Sequence, residues 1–114
     1  MKFDRFEDIL VWQKSIDLCV SIYQQMESSN DFGFKNQIQR AAVSISNNIA
    51  EGYERKTNNE FKQFLFIAKG SCGEVRSMLY LADKLHIITK EQIIIYLQQT
   101  EEISRMLSGL IKKL

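Results

Sequence analysis

From residue 61 to residue 82 the side chains Phe61, Leu65, Ala68, Cys72, Val75, Leu79 and Ala82 return at alternating steps of four and three without interruption. Only an α-helix gathers positions at that spacing onto one face, so the stretch predicts a helix of about 30 residues, on the order of 45 Å long. In front of it, Thr57-Asn58-Asn59-Glu60 is a capping box, in which the Thr hydroxyl accepts from the backbone three residues on and the Glu reaches back. A rod apolar along one side is stable only against other apolar surfaces. The chain has no proline and only 5 glycines, so nothing punctuates it into short strands, and helical partners are expected.

Those partners are legible. Ile9, Trp12, Ile16, Cys19, Tyr23 and Met26 form a heptad-like seam, with Val11, Leu18 and Ile22 as a second apolar line beside it. Turn chemistry in Ser28-Ser29-Asn30-Asp31-Phe32-Gly33 ends that helix. A second helix is predicted over about 34 to 55, with Ile38, Ala42, Ile45, Ile49 and Tyr53 at helical spacing. Thr89-Lys90-Glu91-Gln92 is another capping box and opens a last helix whose seam reads Ile93, Tyr96 or Leu97, Ile103, Leu107, Leu110 and Leu114, with Thr100 as its polar interruption. Lys112 and Lys113 suit the negative end of that helix. Short connections make antiparallel neighbours the simplest packing, so residues 1–114 are expected to form one all-α domain, an antiparallel up-down-up-down four-helix bundle.

Charge and composition exclude several function classes. There are 15 basic and 14 acidic residues, and neither half of the chain is strongly biased, so no highly basic module is indicated. No apolar run is longer than five residues, against the roughly 20 of a membrane span, and the charged start lacks a secretory apolar region. A cytoplasmic protein without membrane contact is expected. Cys19 and Cys72 read as buried thiols of a reducing compartment. Asp83-x-x-His86 is similar to one element of a di-iron bundle, but the chain has a single His, so no metal site, and no cofactor, is predicted. Phosphate loops, nucleophile elbows and zinc spacings are missing, and no catalytic residue is assigned.

Polar and basic residues on the central helices carry the remaining information. Arg40, Ser44, Asn47 or Asn48, and Glu51 recur at about four along helix two. If helices two and three turn near Lys56 and Thr57, position i faces roughly 113 − i, which sets Arg40 against Gly73 and Glu74, and Glu51 against Lys62. The same register places Ala41, Ala42 and Val43 against Gly70-Ser71-Cys72-Gly73, where small residues let the backbones approach; mid-helix Gly costs about 1 kcal/mol against Ala and so needs a reason. Arg40, Ser44, Asn48, Glu51 and Glu74 are thus expected to form a polar network that sets helix register; alternatively Arg40, Asn48 and Glu51 form a binding or catalytic constellation at a groove. Arg55, Lys56 and Lys62 cluster near one turn, and symmetric repetition would gather them into a ring able to meet phosphates. Val11, Leu18, Ile22, Phe64, Phe66, Ile67, Ile94 and Ile95 fall off the assigned faces, and this surplus predicts self-association.

Val11-Trp12-Gln13-Lys14, Gln37-x-x-Arg40-Ala41-Ala42-Val43-Ser44-Ile45, Asn48-Ile49-Ala50-Glu51-Gly52, and Ile67-Ala68-x-Gly70-Ser71 with Glu74, taken together, resemble the bacterial 23S rRNA-intervening sequence protein family over nearly the whole chain. The resemblance implies a four-helix bundle assembled as a homopentamer. It also implies kinship with the accessory variability determinant of diversity-generating retroelements, which works with a reverse transcriptase and nucleic acid. The family name records a location within ribosomal RNA genes and not an activity. This chain departs from the family in carrying Gln39 where a basic residue is common, which lowers positive charge, and Ser46 where a proline is common, which leaves helix two free to run straight.

The reading that follows is a non-enzymatic homo-oligomer that binds structured RNA or DNA, or a nucleic-acid enzyme, through Arg40, Arg55, Lys56 and Lys62. Its rival is a structural or protein-interaction scaffold in which Arg40, Ser44, Asn48, Glu51 and Glu74 only hold the fold.

Overall fold

A computed structural model describes residues 3–114. After a 3₁₀ turn over Phe6–Asp8, four helices follow: α1 Leu10–Met26, α2 Phe32–Tyr53, α3 Asn58–Lys84 and α4 Lys90–Lys112. Helices adjacent in sequence pack side by side and α4 returns to touch α1, which closes an up-down-up-down bundle of 43 × 21 × 19 Å. The structure is all-α, as the periodicity requires, and α3 has 27 residues.

The starts of α2, α3 and α4 are set by side chains. Asp31, Thr57 and Thr89 each cap the following helix, accepting from the backbone N–H of Phe34, Glu60 and Gln92 at 3.1, 3.1 and 3.4 Å. Glu60 does not reach the cap backbone; its carboxylate accepts from the Thr57 hydroxyl at 3.1 Å. At the far end of α3, His86 takes a left-handed conformation (φ 58°) while Ile87 N–H donates to the Ala82 carbonyl and His86 N–H to that of Asp83. This is a Schellman cap with His in the position that favours glycine. His86→Gly is therefore expected to raise the unfolding free energy by about 0.5–1 kcal/mol, read as a higher urea midpoint at unchanged slope; an unchanged or lowered midpoint would show that the His side chain contributes elsewhere.

The core runs the length of the bundle, but α1 enters it by a different face from the one its strongest sequence pattern suggests. Val11, Ser15, Leu18, Ile22 and Met26 are buried, whereas Trp12, Ile16 and Cys19 are half-buried and Tyr23 is 45% exposed. Ser15 is compatible with that face. Its hydroxyl donates to the Val11 carbonyl at 2.7 Å, so a polar residue sits in the core with its hydrogen bond satisfied inside its own helix. Trp12 is meanwhile held edge-on by Phe6, at 5.2 Å between ring centres. Val11, Leu18 and Ile22 thus belong to the core and not to a surplus surface.

Between α2 and α3 the expected register holds: Ser44 meets Ser71 and Gln37 meets Glu74. The glycine roles are different from those expected. A Cβ on Gly70 or Gly73 would have nothing within 4 Å, because both point outward. Close approach occurs instead at Gly52, where a Cβ would lie 2.6 Å from Phe64 Cβ and 3.0 Å from the Phe61 ring. α2 is uninterrupted through Ser46, whose hydroxyl bonds the Val43 carbonyl at 3.2 Å. On α4, Thr100 is buried with its hydroxyl on the Leu97 carbonyl, and its own carbonyl accepts from Cys72 Sγ at 3.2 Å. No helix among the described residues is long and apolar enough to cross a membrane.

Candidate nucleic-acid interface

The row of polar residues on α2 divides into a bonded part and an open part. Ser44 Oγ lies 2.8 Å from Ser71 Oγ, and Asn48 Nδ2 donates to the Ser44 carbonyl at 2.8 Å and to its hydroxyl at 2.9 Å. This small network clips α2 to α3. Glu74 accepts from Gln37 Nε2 at 3.4 Å and makes no ion pair with Arg40 among the described residues. Arg40 is exposed and, with Tyr23, Val43, Ser44, Asn47 and Asn48, borders an open depression of about 410 Å³ toward α1. Glu51 is exposed as well, and it too lacks an ion pair among the described residues.

The basic residues at the α2–α3 turn also have distinct surroundings. Arg55 Nε and Nη2 both donate to Glu60 Oε1 at 3.2 Å, and its guanidinium lies 5.4 Å from the centre of the Phe64 ring. Its charge is therefore partly answered within the turn. Lys56 is exposed and lines a small pocket with Tyr53, Thr57, Phe61 and Leu114, so the end of α4 comes to this same end of the bundle. Arg40 stands about 20 Å along α2 from Tyr53, where the helix ends before Arg55. The structure does not bring Arg40 to the turn cluster.

Lys62 lies on the α4 side of α3, which is why it does not meet Glu51. Arg76, fourteen residues or four turns beyond Lys62, pairs with Glu101 of α4 at 3.7 Å. Lys69 stands midway on the same line. Their seven-residue spacing is visible in the sequence, but which neighbour that line faces is not.

Cys72 offers no nucleophile at neutral pH. Burial pushes its thiol up to about 11, against the opposing pull of nearby Arg76 and of a backbone hydrogen bond from Ser104. Burial also raises Cys19. No cluster of metal-ligating side chains occurs among the described residues, and His86 serves as the α3 cap.

The sequence model of the 23S rRNA-intervening sequence proteins matches residues 7–109. The chain belongs to this family. A solved relative is similar at 28% identity with a TM-score of 0.83, covering 90% of this chain and 96% of its own. It is a protein with unknown function from the S23 ribosomal protein family of Bacteroides thetaiotaomicron VPI-5482. No curated protein matches the chain.

Proposed function

We propose that this member of the 23S rRNA-intervening sequence protein family is a non-enzymatic, cytoplasmic homo-oligomer that binds structured nucleic acid, alone or with a nucleic-acid-processing enzyme. The observation that carries the reading is the collection of basic side chains at one end of the bundle. Arg55 and Lys56 from the α2–α3 turn stand beside the end of α4, where Lys112 and Lys113 lie. Phosphates are the ligand such a set suits, and nucleic acid is the polyanion that presents them in series. Arg55, Lys56 and Lys62 are the contacts at this end, and Arg40 is a separate contact on the α1–α2 side.

Self-association is supported by large apolar side chains left in solvent, among them Phe32, Phe66, Tyr80, Leu85, Ile94 and Ile95. A homopentamer related to the accessory variability determinant of diversity-generating retroelements is the assembly proposed, and it would repeat the basic end around a ring. The hydrogen bonds among Ser44, Asn48 and Ser71 serve the fold in this reading.

Titration against a structured RNA and a duplex DNA at several salt concentrations, with the mass measured by sedimentation, tests the proposal. Expected are a pentameric mass at micromolar protein and affinity that falls with salt. A monomeric mass overturns the assembly. The scaffold alternative takes over if neither nucleic acid binds at low salt.

A further inference from the structure

The large apolar side chains that α3 leaves exposed come in two adjacent pairs, Phe66 with Ile67 and Tyr80 with Leu81, each residue 48–57% exposed. The pairs stand fourteen residues apart, which is about four turns or 21 Å, so both lie on the same side of the helix. Between them Phe66, Gly70, Gly73, Ser77 and Tyr80 recur at steps of four and three, and all five are exposed. α3 therefore carries two heptad-like seams, one buried in the bundle and one facing outward.

The outer seam is bulky at both ends and bare in the middle. A Cβ on Gly70 or Gly73 would have nothing within 4 Å, so no contact inside the chain requires glycine at either place. Glycine weakens a helix, and here it leaves a saddle between the two apolar pairs. A second helix can settle into such a saddle closer than the roughly 8–10 Å at which helix axes usually pack.

The symmetry of the seam identifies that second helix. Reversed about the midpoint between Gly73 and Glu74, position i meets 147 − i. Phe66 and Ile67 then come opposite Leu81 and Tyr80 of the second copy, and Gly70 opposite Ser77. Bulk meets bulk and small meets small, which is the self-complementarity that a two-fold contact between identical chains requires. Glu74, the charge nearest the axis, is drawn to the α2 side by Gln37 at 3.4 Å. The four apolar side chains expose roughly 400 Å² per copy, about half of some 200 Å² each. At the usual apolar share of interfaces this corresponds to about 1,400 Å² over both copies, toward the lower end of specific pairings.

We infer that the outer face of α3 pairs antiparallel with α3 of a second copy about a two-fold axis beside Gly73, with Phe66 and Ile67 of each chain packed on Tyr80 and Leu81 of the other. This rests on the self-association reading above and names its surface and symmetry. A ring of five is built from two different patches on each copy, whereas a two-fold contact closes on two copies, so the α3 pairing is separate from the ring contact.

Gly73→Cys in the full chain tests the pairing under mild oxidation, read as disulfide-linked dimer on a non-reducing gel. Glu74→Cys, on the other side of the axis, repeats the test without altering a glycine. Gly109→Cys is the comparison, an equally open position near the end of α4 and off the contact. Both axis variants are expected to form dimer at least about tenfold faster than Gly109→Cys, since pairing holds the two thiols together. The wild-type chain, with Cys72 buried and Cys19 half-buried, sets the background. Tyr80→Glu, an exposed substitution, is expected to slow the Gly73→Cys bridge to the comparison rate. The inference is overturned if neither axis variant outpaces Gly109→Cys, or if Tyr80→Glu leaves the fast bridge intact. In either case an oligomeric mass by sedimentation leaves self-association standing through other surfaces, while a monomeric mass removes both.

Discussion

Leu18→Ala is expected to lower the unfolding free energy by about 2–5 kcal/mol, while Tyr23→Ala changes it by less than about 1 kcal/mol. Leu18 is 1% exposed in the middle of α1, on the line from Val11 to Met26 that faces the other helices. Removing its isobutyl group withdraws apolar surface from the core and leaves a void that its neighbours fill only in part. Tyr23 lies on the seam that α1's sequence periodicity favours, yet it sits at the rim of the open depression beside Arg40. Truncating it removes little buried contact. Domains of this size are held by about 5–15 kcal/mol, so the first variant falls near the unfolding threshold at ordinary temperature and the second does not. Urea titrations followed by circular dichroism separate them. Equal midpoints for the two variants would mean that α1 packs by its Trp12–Tyr23 face.

Gly52→Ala is expected to destabilise the protein by about 2 kcal/mol, whereas Gly70→Ala and Gly73→Ala each stabilise it by up to about 1 kcal/mol. All three lie inside helices and all three exchanges gain helix propensity, so their difference isolates packing. At Gly52 the added methyl would stand 2.6 Å from Phe64 Cβ and 3.3 Å from the Phe61 carbonyl oxygen. Neither atom can rotate away, since both are fixed by the α3 backbone, and relief requires the two helices to part near their turn. Overpacking of that kind costs more than the propensity gain returns. At Gly70 and Gly73 a methyl meets only solvent. Thermal melts of the three variants read the sign directly, and a Gly52→Ala protein as stable as the wild type would show that α2 and α3 do not approach there.

Much of the candidate surface follows the same division between local and non-local information. Lys62, Lys69 and Arg76 declare a common line through spacing alone, but the Arg76–Glu101 pair is what turns that line toward α4. Arg55 and Lys56 are neighbours in any fold, yet the engagement of Arg55 by Glu60 depends on how the turn closes. For Arg40, opposition to Glu74 was the natural expectation of the hairpin register. The register is present, but Gln37 takes the carboxylate and Arg40 is left to solvent on the α1 side. A helix position offers a side chain a wide arc, so register alone leaves its partner open.

Periodicity and capping chemistry are local. The two threonine caps, the seams of α2, α3 and α4, the antiparallel order and the α2–α3 register were therefore legible from residues a few positions apart, because each depends on the fixed rise and turn of the helix. Contacts between helices placed the rest: the α1 face, which Ser15 could join by bonding its own helix; the close approach at Gly52 in place of Gly70 and Gly73; and the pairing of Arg76 with Glu101 across the α3–α4 seam. Burial is a property of two surfaces meeting. One strand of sequence states which faces are apolar, and when two candidate faces on a helix are nearly equal, packing against neighbours distant in the chain selects between them.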